Sequence, residues 1–240
     1  MANLHNYHGR YCEAEFESTF LSYLEEAGWS YLAGSSLPRS SMRDVLYTDD
    51  MEFFLNRTNP DLTADEIQQI MDTVRLAGSE SDFATLHKVY DWMVNGIQFT
   101  PQAALPRMVN LIEFEDPEKN VFRAVNQFTV EYTNNGQTQT RRPDILLFVN
   151  GMPLCIIELK TPAAANATIH DAWEQITIRY WRRSEADCSN AWISPLPAPS
   201  RTISIKIPHA TANPVRKVLS LLRLMVLYIS CQMSIMIMFV

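Results

Sequence analysis

The stretch from Asp144 to Lys160 constrains this chain more than any other part of it. Asp144-Ile145-Leu146-Leu147-Phe148-Val149 is almost continuously apolar after its first residue, the pattern of a central strand buried on both faces. Asn150-Gly151 follows, and because both residue types tolerate positive φ this is the strongest short signal for a hairpin. Leu154 to Lys160 then returns as the partner strand. With 240 residues, 47% of them hydrophobic and 20% charged, the chain is long and apolar enough to bury a core around such a hairpin.

Upstream, the pattern is helical. Phe16, Phe20, Tyr23, Leu24 and Ala27 fall at three-to-four spacing, which predicts a helix over 11–27 stopped by Gly28. Glu13, Glu15 and Glu17 load its first turns, where carboxylates suit the helix dipole. A second helix is expected from Thr63, with Glu66 completing a capping box, and a third from about Ser81 to Gly96. From residue 107 the period changes to two. Met108 to Phe114 and Phe122 to Tyr132 read as strands, with a turn at Thr133-Asn134-Asn135-Gly136. Residues 169–183 close with an aromatic-rich helical pattern. Helices, a mainly antiparallel sheet and a further helix make a mixed α and β chain.

The hairpin also gathers chemistry. Glu158 and Lys160 stand two apart on a strand, so both side chains project from one face. Counting outward from the turn, Asp144 pairs near 156–158, and one Asp, one Glu and one Lys converge at one edge. Carboxylates crowded together repel unless a cation intervenes, and hard oxygen ligands select Mg²⁺ or Mn²⁺ rather than zinc. Taken singly, each residue is equally well a solvated strand end. Among the five histidines, His170 reads as a helix-start residue. Trp173, Tyr180 and Trp181 are expected to pack their helix on the sheet.

Charge is laid down unevenly. All 27 acidic residues fall at or before Asp187, so residues 1–190 carry −12 and residues 191–240 carry +5. Five prolines cluster between Pro195 and Pro214, and Leu224 to Val240 runs without a charge. This tail is a short membrane anchor, a buried helix of a larger protein, or a segment foreign to the fold; the abrupt break in composition favours the last. Cys12, Cys155, Cys188 and Cys231 have neither zinc-ligand spacing nor the density of a disulfide scaffold, which fits a reducing, cytoplasmic setting. The N-terminus has no secretory pattern.

Pro143-Asp144 followed by Glu158-x-Lys160 resembles the signature of the PD-(D/E)XK nuclease superfamily. The longer strings Arg142 to Leu154 and Ile156 to Lys160, with Val125 to Val130 before them and Asp171 to Gln175 and Tyr180 after, resemble one family in particular. That family is the N-terminal nuclease domain of the type I restriction enzyme R subunit. The likeness covers roughly residues 10–182, and Tyr180 sits one position later than the family's Gln-to-Tyr spacing.

The resemblance implies a restriction-endonuclease-like core, a mixed β-sheet flanked by helices (α+β or α/β), preceded by a helical N-terminal region. Residues 1–183 would form the nuclease-like domain, helical over 1–100 with the sheet core at 107–183, and 184–240 would lie apart. It implies Mg²⁺ held by Asp144, Glu158 and the Leu159 carbonyl, with Asp144, Glu158 and Lys160 catalytic. Gln175 and Tyr180 would touch DNA or brace the catalytic strand, and Glu17 is a possible accessory. For Glu13 and Glu17 a solvated helix face is the expected role. The implied partners are double-stranded DNA and the modification and specificity subunits of a restriction complex, not a membrane. ATP would serve only a motor domain, whose Gly-x4-Gly-Lys-Ser/Thr loop this chain lacks. The alternatives are a catalytically incompetent truncated remnant of such a subunit and, more weakly, a small membrane-anchored protein.

Overall fold

The computed structural model describes residues 13–79, 83–102, 104–134, 136–160 and 234–239. Its centre is a five-stranded sheet in the order β1 (Ser30–Ala33), β4 (Phe122–Asn126), β7 (Ile145–Val149), β8 (Met152–Lys160) and β9 (Ser234–Phe239). Every residue of β7 is buried, which matches its apolar run and its place in the middle of the sheet. Only the β1–β4 pair is parallel; the other pairs in this sheet are antiparallel. Residues 234–239, in the tail expected to lie apart, run along β8 from Cys155↔Phe239 to Lys160↔Ser234. Two small ribbons stand beside the main sheet, β2 (Ile97–Phe99) with β3 (Arg107–Val109) and β5 (Val130–Asn134) with β6 (Gln137–Arg141).

Among the described residues, four α-helices precede most of the strands. Helix α1 (Glu13–Glu26) packs on β1 and β8 and buries Phe20, Leu21 and Leu24. Helix α3 (Ala64–Ser79) begins at the expected capping box: the Thr63 N–H donates to Glu66 Oε2 at 2.9 Å, and the Glu66 N–H donates to Thr63 Oγ1 at 3.3 Å. Helix α4 spans Phe83–Asn95, while its expected cap, Ser81, lies outside the described residues, as does the helix expected over 169–183.

Sequence periodicity missed α2 (Thr48–Thr58), although Asp49 and Asp50 load its first turn and Met51, Phe54 and Leu55 are buried at helical spacing. It missed β1 as well, whose four residues are too few to show alternation. Two strand expectations need correction. The strand expected over 108–114 ends at Val109, because the main chain of Glu113 bonds to a side chain instead of a neighbouring strand. The Asn120 amide accepts the Glu113 N–H at 2.9 Å and donates to the Glu113 carbonyl at 2.7 Å. The strand expected over 122–132 breaks into β4 and β5 at Gln127, whose φ of 51° turns the chain.

The Asn150-Gly151 turn is buried, unlike an ordinary surface hairpin turn. The Asn150 side chain accepts the Val121 N–H at 2.7 Å and donates to the Leu111 carbonyl at 2.9 Å and to Asn120 Oδ1 at 2.8 Å. One buried amide thus ties the central hairpin to the 111–121 loop, satisfied at both its oxygen and its nitrogen. Helix α2 docks on the same region. Tyr47 donates its N–H to the Gly151 carbonyl at 2.8 Å, and Arg123 of β4 grips Asp50 through two bonds of 2.5 and 2.6 Å. Those bonds push the Arg123 guanidinium above its ordinary pKa, and burial opposes them only in part.

A Cβ at Gly151 would sit 2.0 Å from the Tyr47 carbonyl oxygen, whereas one at Gly136 would meet nothing within 4 Å. Both glycines have positive φ, 76° and 74°. Gly136→Ala is expected to cost about 1 kcal/mol from backbone strain alone. Gly151→Ala should cost about 3 kcal/mol or more, because the backbone of Tyr47 has to move. Urea denaturation of the two variants measures the difference. Equal losses would mean that α2 does not press on the turn.

Glu66 gives a pH prediction. Hydrogen bonds from Thr63 and then Gln102 hold its carboxyl below the usual carboxylate range. Stability from this source is therefore present above the unfolded carboxylate pKa of about 4.3 and lost as pH falls through the lower folded value. The stability gap between wild type and Glu66→Gln should narrow on acidification from pH 7 to pH 3, as read by thermal melts.

Candidate functional site

The site forms at the end of β7 and β8 farthest from the turn. Nearest the turn the register is Val149↔Met152 and Phe148↔Pro153; beyond it the register becomes Leu147↔Cys155, Leu146↔Ile156 and Ile145↔Ile157. Leu154 is the extra residue of a β-bulge, and Pro153, which cannot donate to a ladder, sits beside it. Carried one residue further, this register sets Asp144 opposite Glu158. The Leu159 N–H donates to Asp144 Oδ2 at 2.8 Å and fixes that carboxylate against the end of β8.

Glu158 is fully buried and Asp144 partly covered. A buried carboxylate persists only with hydrogen bonds or a cation to compensate it. Among the described residues no group of three or more His, Cys, Asp and Glu gathers as a metal cage. The donor set is therefore two carboxylates and the main-chain carbonyl of Leu159. Its chemistry fits Mg²⁺, which is typically held by one or two carboxylates and completes its shell with water and phosphate oxygens. Lys160 is the last residue of β8, and only its main chain is described. Gln175, Tyr180, His170, Trp173 and Trp181 lie outside the described residues.

The other side of Asp144 is held by the end of β4. The Gln127 N–H donates to the Asp144 carbonyl at 2.9 Å, extending the β4–β7 ladder by one bond. Glu17 reaches this point from α1. Its Oε1 accepts the Asn126 amide at 2.6 Å and its Oε2 the Gln127 amide at 2.8 Å, while the Tyr31 hydroxyl donates to Asn126 Oδ1 at 3.1 Å. The expectation of a solvated helix face is thereby corrected for Glu17. Its carboxylate is half-buried and both its oxygens receive amide donors. The side chain of Glu13 lies outside the described residues. Asn126 and Gln127 were not singled out from the sequence as site residues; two adjacent amides at the end of a strand were the available signal.

Cys155, the described thiol nearest the site in sequence, is inert. Burial pushes it well above the ordinary thiol range, so it stays protonated and supplies no nucleophile. Among the described residues no helix is long and apolar enough to cross a membrane.

Comparison with known proteins points one way. A family model described as the N terminus of the type I restriction enzyme R protein matches residues 10–191. The chain is 34% identical over 167 residues to a Methanocaldococcus jannaschii protein named as the MjaIXP endonuclease subunit of a type I restriction enzyme, covering 65% of this chain and 16% of that one. It is 29% identical over 177 residues to the type I restriction enzyme HindI endonuclease subunit of Haemophilus influenzae, covering 68% of this chain and 16% of that one. The aligned part of this chain thus spans about one sixth of the length of these relatives.

Since two hydrogen bonds to a carboxylate are typically worth about 1.5–3 kcal/mol each before exposure weakens them, Glu17→Ala should lower the unfolding free energy by about 1–3 kcal/mol. Urea denaturation tests this. An unchanged midpoint would show that Glu17 does not hold the end of β4.

Proposed function

Since the chain belongs to the family of type I restriction enzyme R protein N termini, we propose that it carries the Mg²⁺-dependent endonuclease of such a subunit and hydrolyses phosphodiester bonds of double-stranded DNA. The observation that carries this reading is the register that brings Asp144 level with Glu158 across the bulged hairpin, with the Leu159 N–H bonded to Asp144. Asp144, Glu158 and the Leu159 carbonyl would hold the metal. When bound, Mg²⁺ supplies charge stabilisation for the phosphoryl oxygens and a more acidic water.

The chain's own residues do the rest. Asp144, locked by the Leu159 N–H on one side and by Gln127 on the other, keeps one geometry throughout the reaction. Lys160 orients the attacking water and faces the charge that develops on the phosphate. A compact ammonium suits a point contact of that kind. Glu17 acts at one remove, holding Asn126 and Gln127 and through them the main chain at Asp144. Gln175 and Tyr180 would contact DNA or brace the catalytic strand. The modification and specificity subunits would bring the nuclease to unmodified DNA in the cytoplasm. ATP would be used by a motor domain outside the part of such subunits that this chain matches.

Nicking of supercoiled plasmid in Mg²⁺ tests the proposal, with modification and specificity subunits and a motor-bearing R subunit lacking its own nuclease supplied in parallel reactions. Asp144→Asn and Lys160→Ala are each expected to slow cleavage by about 100-fold or more. Replacing Mg²⁺ with EDTA should abolish it. Cleavage by Lys160→Ala at the wild-type rate would remove Lys160 from the mechanism, and an inert wild type under all these conditions would sink the nuclease assignment.

A further inference from the structure

The β5–β6 ribbon is built unlike the rest of the molecule. Strand β6 reads Gln137-Thr138-Gln139-Thr140-Arg141, without one apolar residue, and its first four residues are exposed. A strand of a folded domain ordinarily has one face packed on a core, and a two-stranded ribbon has little stability alone. This one is held from its base. Val130 is buried, the Phe128 and Phe148 rings meet at 5.4 Å, and the Arg39 guanidinium lies 4.1 Å from the centre of the Phe128 ring.

It is also stiffened along its length. The Glu131 N–H donates to the Met42 carbonyl at 2.9 Å, Arg43 donates to Thr133 Oγ1 at 2.9 Å, and the Tyr132 hydroxyl donates to Gln139 at 2.7 Å. The Arg141 guanidinium covers the Tyr132 ring at 4.7 Å. The loop at Met42 and Arg43 is thus tied to β5. What remains outward on this arm are the exposed Gln and Thr side chains of β6 and the exposed Arg43 and Arg142, with Arg141 half-buried over Tyr132.

Its charge stands against that of the chain. The arm and its loop carry Arg39, Arg43, Arg141 and Arg142 against Asp44 and Glu131, net positive, where residues 1–190 as a whole carry −12. Its place matters as much. Arg142 is exposed and only Pro143 separates it from Asp144, so β6 runs directly into the carboxylate edge. The arm is roughly 17 Å long at 3.3 Å per residue, and the DNA major groove, about 12 Å wide, admits a two-stranded β-ribbon.

We infer that the β5–β6 ribbon is the arm by which this domain grips duplex DNA, lying in a groove with Arg43, Arg141 and Arg142 on the flanking phosphates, so that a phosphodiester reaches Asp144 and Glu158. Arginine contacts to phosphate fix register and orientation, while glutamine and threonine side chains can meet either phosphates or base edges. The inference rests on the nuclease reading for what happens to the bound DNA, but binding itself requires no metal.

The test is fluorescence anisotropy of the full chain with a labelled 30-base-pair duplex in EDTA, where no cleavage occurs. Thr138→Glu with Thr140→Glu should weaken binding by about tenfold or more. Arg141→Gln with Arg142→Gln should reduce the dependence of log affinity on log salt by about two. The control, Gln69→Glu with Thr73→Glu on the exposed face of α3, adds the same charge elsewhere and should change affinity less than twofold. Thermal melts verify folding, and Arg142→Gln alone, at an exposed position, should still lower the salt slope by about one if the double variants melt early. Ribbon variants that bind no more weakly than the control, or a wild type that does not hold the duplex at low salt, would overturn the inference. Failure of the nuclease reading looks different: ribbon-dependent binding persists, yet Mg²⁺ brings no cleavage.

Discussion

The rest of the site depends on one extra residue in a strand. A two-residue turn at Asn150-Gly151 sets Val149 against Met152. Had that register continued, Asp144 would stand opposite Ile157, and Glu158 would project to the other face of the sheet. Leu154 shifts the count by one, so Ile145 meets Ile157 and Asp144 comes level with Glu158. Both faces of this hairpin are apolar and buried, so burial alone discriminates weakly between the two registers. The bulge and the turn carry that information, and the Leu159 bond to Asp144 completes it.

Such a register needs a turn that cannot drift, and the packing around Asn150 provides it. A surface Asn-Gly turn would leave the first residues of the hairpin free to slide. Here the Asn150 amide is fixed by Val121, Leu111 and Asn120, and Gly151 is pressed against the backbone of Tyr47. The Arg123–Asp50 pair then ties β4 to the same helix that covers the turn. Removing either partner would leave a charge in a partly buried place, so the pair enforces one docking of α2 more than it adds net stability. The strands on both sides of Asp144 are thus anchored by α2, at the end of the sheet away from the carboxylates.

Much of this was legible in the residues. The apolar run of β7, the Asn-Gly turn and the capping box at Thr63 are each local patterns with one structural solution, and each appears where the pattern falls. Asp144 and Glu158 could be brought to one edge by counting from the turn, but only to within two positions, because a bulge adds a residue without changing hydrophobic pattern. Pro153 was the available hint, since proline inside an otherwise central strand marks a bulge or an edge. Strand β1 and the break at Gln127 were not legible. The first has four residues, and the second is a left-handed turn in a residue that rarely adopts one, held there by Glu17 more than a hundred positions away. Long-range partners of this kind leave no periodic trace.

The same long-range partner explains why an acidic helix belongs beside an edge of carboxylates. Glu17 brings a further carboxylate to the end of β4, where the Gln127 N–H bonds the Asp144 carbonyl. Two amide donors engage its oxygens and spread that charge over neutral dipoles. The arrangement keeps Glu17 fixed and turned toward Asn126 and Gln127, so its effect on Asp144 is positional. The basic groups follow the opposite rule. Arg39, Arg43, Arg141 and Arg142 are grouped around the β5–β6 arm, which runs through Pro143 into Asp144. A net-negative domain can present a locally positive surface, because solvent and salt screen exposed charges beyond about 10 Å. The local sign at the arm, and not the sum over the chain, is what a charged molecule meets there.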